Sequence, residues 1–332
     1  MPNFVNIVKA YKANGLTCIP VDENKQPLVN WAFYQEKPMS DKEIEKYFSD
    51  TFGFAVLTGG KGGLELLDID SKYFLDPDMY EKFKKSIPNN ILKKLWVQTS
   101  MNGGYHFIYK CSVVEPNQKL AMRPTTREER HAVYMEAYEA GEDMDTVINS
   151  AKQHKSVVLF ETRGGTSSKC GGYFLCAPTK GYKKIYGKLH EITPEEREII
   201  LESARSFNSY IELKKDYKLA RINHDHKAND SVSPFEKFNE EGDGLKLLIE
   251  HGWKPVNEKA LNSGKDVRLK RPGVVHSKSS GLYDRDSKLF NCFSTSTSFE
   301  ANKAYTPANL FIELECNGDT QLAYQKLKEM GY

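Results

Sequence analysis

The chain has 332 residues, 39% of them apolar and 28% charged, and its 47 Lys and Arg nearly balance 45 Asp and Glu for a formal net charge of +2. That length holds two domains, each able to bury a core, and the balance excludes a protein that is basic throughout, so any nucleic-acid surface must be local. Six scattered cysteines without a Cys-x-x-Cys pair, no basic-then-apolar leader and no apolar run near the roughly 18 residues of a membrane span point to a cytoplasmic protein without disulfides, zinc or membrane contact.

Phe4 to Asn14 sets Val5, Val8 and Tyr11 at helical spacing and closes on Asn14-Gly15 as a C-cap. Leu16 to Val21 reads as a strand, and Lys25-x-Pro27 with Trp31 as a loop. Ser40-Asp41-Lys42-Glu43 has the spacing of a capping box and opens a helix to Phe48. Phe54 to Leu57 is a second strand, followed by a turn rich in glycine (Gly59, Gly60, Gly62, Gly63). Leu64, Leu66, Leu67 and Ile69 then form a short apolar run that reads as a buried strand. Its end carries Asp68 and Asp70, two residues apart and so on one face. Two such carboxylates repel each other unless a cation lies between them, and a hard ion with oxygen ligands, Mg2+ or Mn2+, suits them. The structural alternative is one Asp capping a turn and the other solvated.

Pro77 to Leu92 is predicted helical. Trp96 to Thr99 and Tyr105 to Lys110 form a hairpin around Asn102-Gly103-Gly104. His106 stands just past that glycine pair, where missing side chains let phosphates approach the backbone. Its ring N–H, with Ser100 and Asn102 in the turn, can donate to phosphate oxygens; a purely structural histidine is the alternative. Residues 116–155 read as a peripheral helical insertion, with a capping box at Thr126-x-x-Glu129, a second helix over Asp145 to Ala151 and no chemistry assigned. Val157 to Phe160 is a buried strand that ends in Glu161, Arg163, Gly164 and Gly165, with Lys169 shortly after. Glu161 supplies a third carboxylate for a two-metal site, while Arg163 and Lys169 can neutralise phosphates. A Glu161–Arg163 surface pair at a turn is the competing reading.

Lys25-x-Pro27 with Trp31, Asp68-x-Asp70, Asn102-Gly-Gly-Tyr-His106 and Glu161-x-Arg163-Gly-Gly, ending in Ala177-Pro178-Thr179, resemble the bifunctional primase–polymerase family of the archaeo-eukaryotic primase superfamily, known from phages, plasmids and mobile elements. The resemblance covers about Val5 to Ile185. It implies an α+β fold in which an RRM-like mixed sheet packs on an N-terminal α/β unit. It also implies two Mg2+ or Mn2+ ions held by Asp68, Asp70 and Glu161, with Gly104 and His106 as the middle motif. Gly104 stands where many members have Ser, so the hydroxyl contact to phosphate is either lost or taken over by Ser100; Glu161 stands where Asp is commoner.

Thr193-Pro194-Glu195-Glu196 opens a helix to about Phe207. The expected organisation is a catalytic domain over 1–210, a linker over 211–234 and a small α+β domain over 235–332. His224-x-His226 in the linker is a weak candidate metal pair. The last domain is expected to begin with a helix from Phe235 to His251, then strands at Val267 to Leu269, Gly281 to Tyr283 and Leu289 to Phe293, a helix from Thr306-Pro307 to Cys316, and a final helix capped by Asp319. Nine Lys and Arg against four Asp and Glu between Lys254 and Lys288, interleaved with Tyr283, Phe290 and Phe293, suit a single-strand-binding surface. Lys265, Arg268, Lys270 and Arg271 are its candidate contacts, against the alternative of an ordinary small sheet with solvated charges. Arg271-Pro272-Gly273 and the Phe290 to Phe299 stretch resemble the segment between primase and helicase in phage primase–helicases, as a zinc ribbon without its cysteines.

These readings imply a template-dependent nucleotidyltransferase, a DNA primase and polymerase. Its partners would be single-stranded DNA, dNTP or NTP, and a helicase in the same or another polypeptide. A non-catalytic replication initiator and a rolling-circle-type nuclease are the alternatives from other classes.

Overall fold

The computed structural model describes residues 3–166, 168–213, 232–274 and 277–332. They form an α+β protein of two compact units, Met1–Arg197 and Glu198–Tyr332. The division falls earlier than residue 210, inside a helix. His224-x-His226 lies outside the described residues.

In the first unit α1 (Val5–Ala13), β1 (Cys18–Val21), α2 (Asp41–Phe48), β2 (Gly53–Gly59) and β3 (Leu64–Ile69) follow the expected order. The box at α2 forms, with Glu43 N–H donating to Ser40 Oγ and Ser40 N–H to Glu43 Oε2. Trp31–Gln35 is a 3₁₀ turn rather than open loop. The single helix expected over Pro77 to Leu92 is instead α3 (Met79–Ser86) and α4 (Asn89–Leu92). Pro88 is the cause: it disfavours helical backbone at Ile87, which sits at φ −90°, ψ 136°. The hairpin β4 (Trp96–Thr99) and β5 (Tyr105–Cys111) forms as expected.

The segment read as an insertion begins with a strand, β6 (Lys119–Pro124), before α5 (Arg127–Glu139) and α6 (Met144–Gln153). Lys-Leu-Ala-Met-Arg-Pro has neither clean alternation nor β-branched residues, so the pairing of β6 with β7 (Ser156–Arg163) is a tertiary decision. Then come β8 (Cys170–Leu175), β9 (Lys183–Tyr186), β10 (Glu191–Ile192) and α7 (Pro194–Arg205), the helix in which the two units divide.

Pairing runs β9-β4-β5-β3-β7-β6, with β2 joined to β1, to β8 and to the start of β3. All of these pairs are antiparallel; β10 adds to β5 in parallel. One face of the sheet carries the core of Val8, Phe48, Phe54, Val56, Leu66 and Ile108. On β3 Leu64, Leu66 and Asp68 alternate with Glu65, Leu67 and Ile69, so Glu65 faces away from Asp68. Glu65 is fully buried and held by Arg197, Nε to Oε2 at 2.6 Å and Nη2 to Oε1 at 2.9 Å, and by Tyr109 Oη at 2.8 Å.

The second unit holds β11 (Glu212–Leu213), α8 (Pro234–Glu241), α9 (Gly244–Glu250), β12 (Lys254–Pro255), β13 (Val267–Lys270), β14 (Gly281–Asp284), β15 (Leu289–Cys292), β16 (Lys303–Tyr305), α10 (Pro307–Cys316) and α11 (Thr320–Glu329). Its sheet runs β11-β16-β15-β14-β13-β12. The helix expected over Phe235 to His251 breaks at Gly242, because Asp243 caps a new helix by accepting from Lys246 N–H. Among the described residues no helix is long and apolar enough to cross a membrane.

Two expectations for the basic stretch are corrected here. Tyr283, Phe290 and Phe293 are not base-stacking platforms but core residues, each under 5% exposed. Arg271 is not a free cation, since its Nε donates to the buried carboxylate of Glu202 at 3.3 Å, where Ser277 Oγ also donates at 2.5 Å. Val267 and Leu269 point inward, which leaves Arg268 exposed and Lys270 half-buried on the other face of β13, with Lys265 exposed just before it.

Candidate active site

Four strands carry one row of side chains across the first sheet. Gln98 on β4 lies opposite His106 on β5, His106 opposite Asp68 on β3, and Asp68 opposite Glu161 on β7. Directly opposed residues of antiparallel strands share a face, with Cβ atoms about 4.5–5.5 Å apart. The register thus brings together three of the expected residues and a fourth, Gln98, that the sequence reading did not single out. Asp70 continues the β3–β7 ladder, its N–H donating to Leu159 O at 3.0 Å. One step back along the same face Arg163 lies opposite Leu66, and it forms a close ion pair with Glu161. The pair proposed as a surface alternative therefore exists, but inside the carboxylate row.

Asp68 is only 21% exposed, and its carboxyl is pushed up to about 7, first by loss of water and then by the charges of Asp70 and Glu161. Arg163 and Lys25 oppose that rise. Lys25 stands in a turn at φ +66° where Gln26 N–H donates to Asp22 Oδ1, and its charge reaches the carboxylates only as this weak opposing effect. Lys169 has a different place, exposed on the turn between β7 and β8, with its backbone bonded to Thr166.

His106 is buried, with Nε2 3.5 Å from Asp68 Oδ1. Burial first, then Arg163 and Lys25, press its pKa down to about 3, so the ring is neutral. Its tautomer follows from Gln98. Gln98 Oε1 accepts from Ala177 N–H at 3.0 Å and Nε2 donates to Leu175 O at 2.9 Å, which fixes the amide orientation. The remaining Nε2 hydrogen faces His106 Nδ1 at 3.0 Å, so Nδ1 accepts and the ring proton sits on Nε2, facing Asp68. Phe174 and Tyr182 pack around the ring, each 5.9 Å between centroids. Tyr182 senses the same carboxylate: burial and then Asp68 raise its phenol to about 12.

The hairpin turn explains the departure at position 104. Gly103 takes φ +82°, a left-handed conformation that favours glycine. At Gly104 a Cβ would stand 2.4 Å from Ile69 O, so a serine does not fit there. Ser100 Oγ lies 3.0 Å from that same point and places a hydroxyl beside it. Asn102 is exposed at the tip.

Among the described residues no group of three His, Cys, Asp or Glu side chains converges as a ready-made metal site. The donor chemistry still fits a hard cation: Asp68 carries a cost from two neighbouring carboxylates that Arg163 and Lys25 only partly offset, and a divalent ion would offset the rest. Glu161 would have to share its oxygens with Arg163.

Gln98→Glu tests the tautomer. A carboxylate cannot donate, so Leu175 O loses its donor and His106 Nδ1 must carry the hydrogen instead. Ring-nitrogen NMR is expected to show protonated Nε2 in the parent and protonated Nδ1 in the variant; an unchanged Nε2–H pattern would refute the assignment.

Known protein families and curated protein sequences were both compared with the chain, and none matches it.

Proposed function

We propose that the first unit is a metal-dependent nucleotidyltransferase, a DNA primase and polymerase built on the RRM-like sheet of the archaeo-eukaryotic primase superfamily. The observation that carries this reading is the row Gln98, His106, Asp68, Glu161, in which a neutral histidine donor and carboxylates share one face of one sheet. Asp68, Asp70 and Glu161 would hold two Mg2+ or Mn2+ ions. Such ions, when bound, make the attacking 3′-hydroxyl more acidic and offset charge on the triphosphate.

The protein groups divide the remaining work. His106 offers its Nε2–H to a phosphate oxygen, with Gln98 holding the ring in that tautomer. Arg163 and Lys25 add positive charge as pyrophosphate leaves. Ser100 supplies the hydroxyl that position 104 lacks. Lys169, exposed on its turn, is assigned no part. Lys265, Arg268 and Lys270 are candidate phosphate contacts of the second unit, which would act by charge rather than stacking. A separate or fused helicase remains part of this proposal.

The test combines protein, single-stranded DNA, labelled dNTP or NTP, and Mn2+. Incorporation by the parent and none by Asp68→Ala supports the assignment. Tight DNA binding without incorporation under any metal would favour the non-catalytic initiator.

A further inference from the structure

A cavity of about 790 Å³ in the first unit is lined by none of Asp68, Asp70, His106 or Glu161. Its walls include three aromatic side chains, Tyr11, Trp96 and Tyr182. Tyr11 and Trp96 lie against each other at 5.9 Å between centroids. Four lysines line it, Lys110, Lys183, Lys184 and Lys188, and among the described residues no carboxylate does. Lys184 Nζ stands 5.8 Å above the Trp96 ring. The Trp96 indole N–H is buried without a partner among the described residues.

We propose that this cavity binds a nucleoside triphosphate, separate from any nucleotide at the carboxylate row. The volume lies within the roughly 300–1,000 Å³ of small-molecule sites and suits one nucleotide rather than a strand. Tyr182 is buried, so stacking falls to the partly buried Tyr11 and Trp96, whose aromatic surface accepts a base whichever base it is. Uncompensated lysines complement a polyphosphate, and their ammonium groups act as charges rather than as base-specific contacts. Tyr182 belongs to both this wall and the surroundings of His106. The role of first nucleotide of a primer rests on the proposed function; the binding itself does not.

The experiment separates the two. Binding of a fluorescent ATP analogue is measured in EDTA, where carboxylates have no metal to bridge them to phosphate, with unlabelled ATP, tripolyphosphate, adenosine and oligo(dT) as competitors. Saturable binding that Asp68→Ala retains is expected, with ATP displacing at least tenfold better than adenosine or tripolyphosphate. Lys183→Glu/Lys184→Glu, both exposed, is expected to weaken binding at least tenfold without shifting the melting temperature, and Lys188→Glu to weaken it further. The exposed pair Lys42→Glu/Lys46→Glu on α2 serves as the charge control and is expected to change binding less than threefold. No binding in EDTA, equal loss in the control, or displacement by oligo(dT) alone would overturn the inference. Failure of nucleotide incorporation would not, because no turnover enters the measurement.

Discussion

Asp68→Asn is expected to abolish nucleotide incorporation and, at the same time, to raise the melting temperature of the metal-free protein at pH 8. Under the proposed two-metal reading, losing one carboxylate should cost several orders of magnitude in rate. The gain in stability comes from the same geometry. In the folded chain the Asp68 carboxyl is raised to about 7 from an ordinary 3.8, so the fold holds its proton more tightly than the unfolded chain does. Stability therefore falls as pH rises from about 4 to about 7, and the full cost is present above that range. At roughly 1.36 kcal/mol per unit, the cost is on the order of a few kcal/mol. An amide has no charge to desolvate, so its advantage is large at pH 8 and small at pH 5. Mn2+ should then stabilise the parent but hardly the variant. Thermal melts at the two pH values, with and without Mn2+, check this. A variant that melts below the parent at pH 8, or that still incorporates nucleotide, would remove Asp68 from the site.

The largest purely structural effect is expected at Arg197→Met. That guanidinium holds both oxygens of Glu65, which is fully buried on the opposite face of β3. Truncation leaves a buried carboxylate with Tyr109 as its remaining partner in this group and should cost about 3–5 kcal/mol. Glu65→Leu combined with Arg197→Met should recover most of that loss, because replacing a whole buried pair by apolar groups is often nearly neutral. Chemical denaturation of the two variants measures it; a double variant no better than Arg197→Met would show that the pair is not the cause.

A deletion is a poor way to separate the units. A cut near Lys214 leaves Glu202 and Arg205 on the shortened chain without Ser277 and the carbonyl of Phe293, to which they are hydrogen-bonded. Charge reversal at Lys265, Arg268 and Lys270 is the cleaner test of the second unit, and loss of single-strand affinity with folding preserved is the expected result.

Local chemistry alone specified much of this protein. Ser40 with Glu43, Thr126 with Glu129 and Thr193 with Glu196 close their helix starts as spacing predicts, because a capping box involves groups three residues apart. The turn at Gly103 and the apolar run of β3 were likewise legible, as were Asp68, His106 and Glu161 as candidates. Pro88 is a local signal too, since it takes Ile87 out of helical backbone. Tertiary structure alone decided which strands adjoin. Gln98 reads as one polar residue in a short strand, and only the pairing of β4 with β5 and its bonds to Leu175 and Ala177 make it the support of His106. Glu65 looks like a defect in an apolar run until Arg197, far along the chain, meets it. Tyr283, Phe290 and Phe293 looked like stacking surfaces because composition does not say which face of a strand is covered. Lys169 is a lysine beside a motif, and only the fold shows that it stands on an exposed turn. The physical reason is common to all of these: capping and turns are satisfied within a few residues, whereas register, burial and the partner of a buried polar group depend on segments that the chain brings together only by folding.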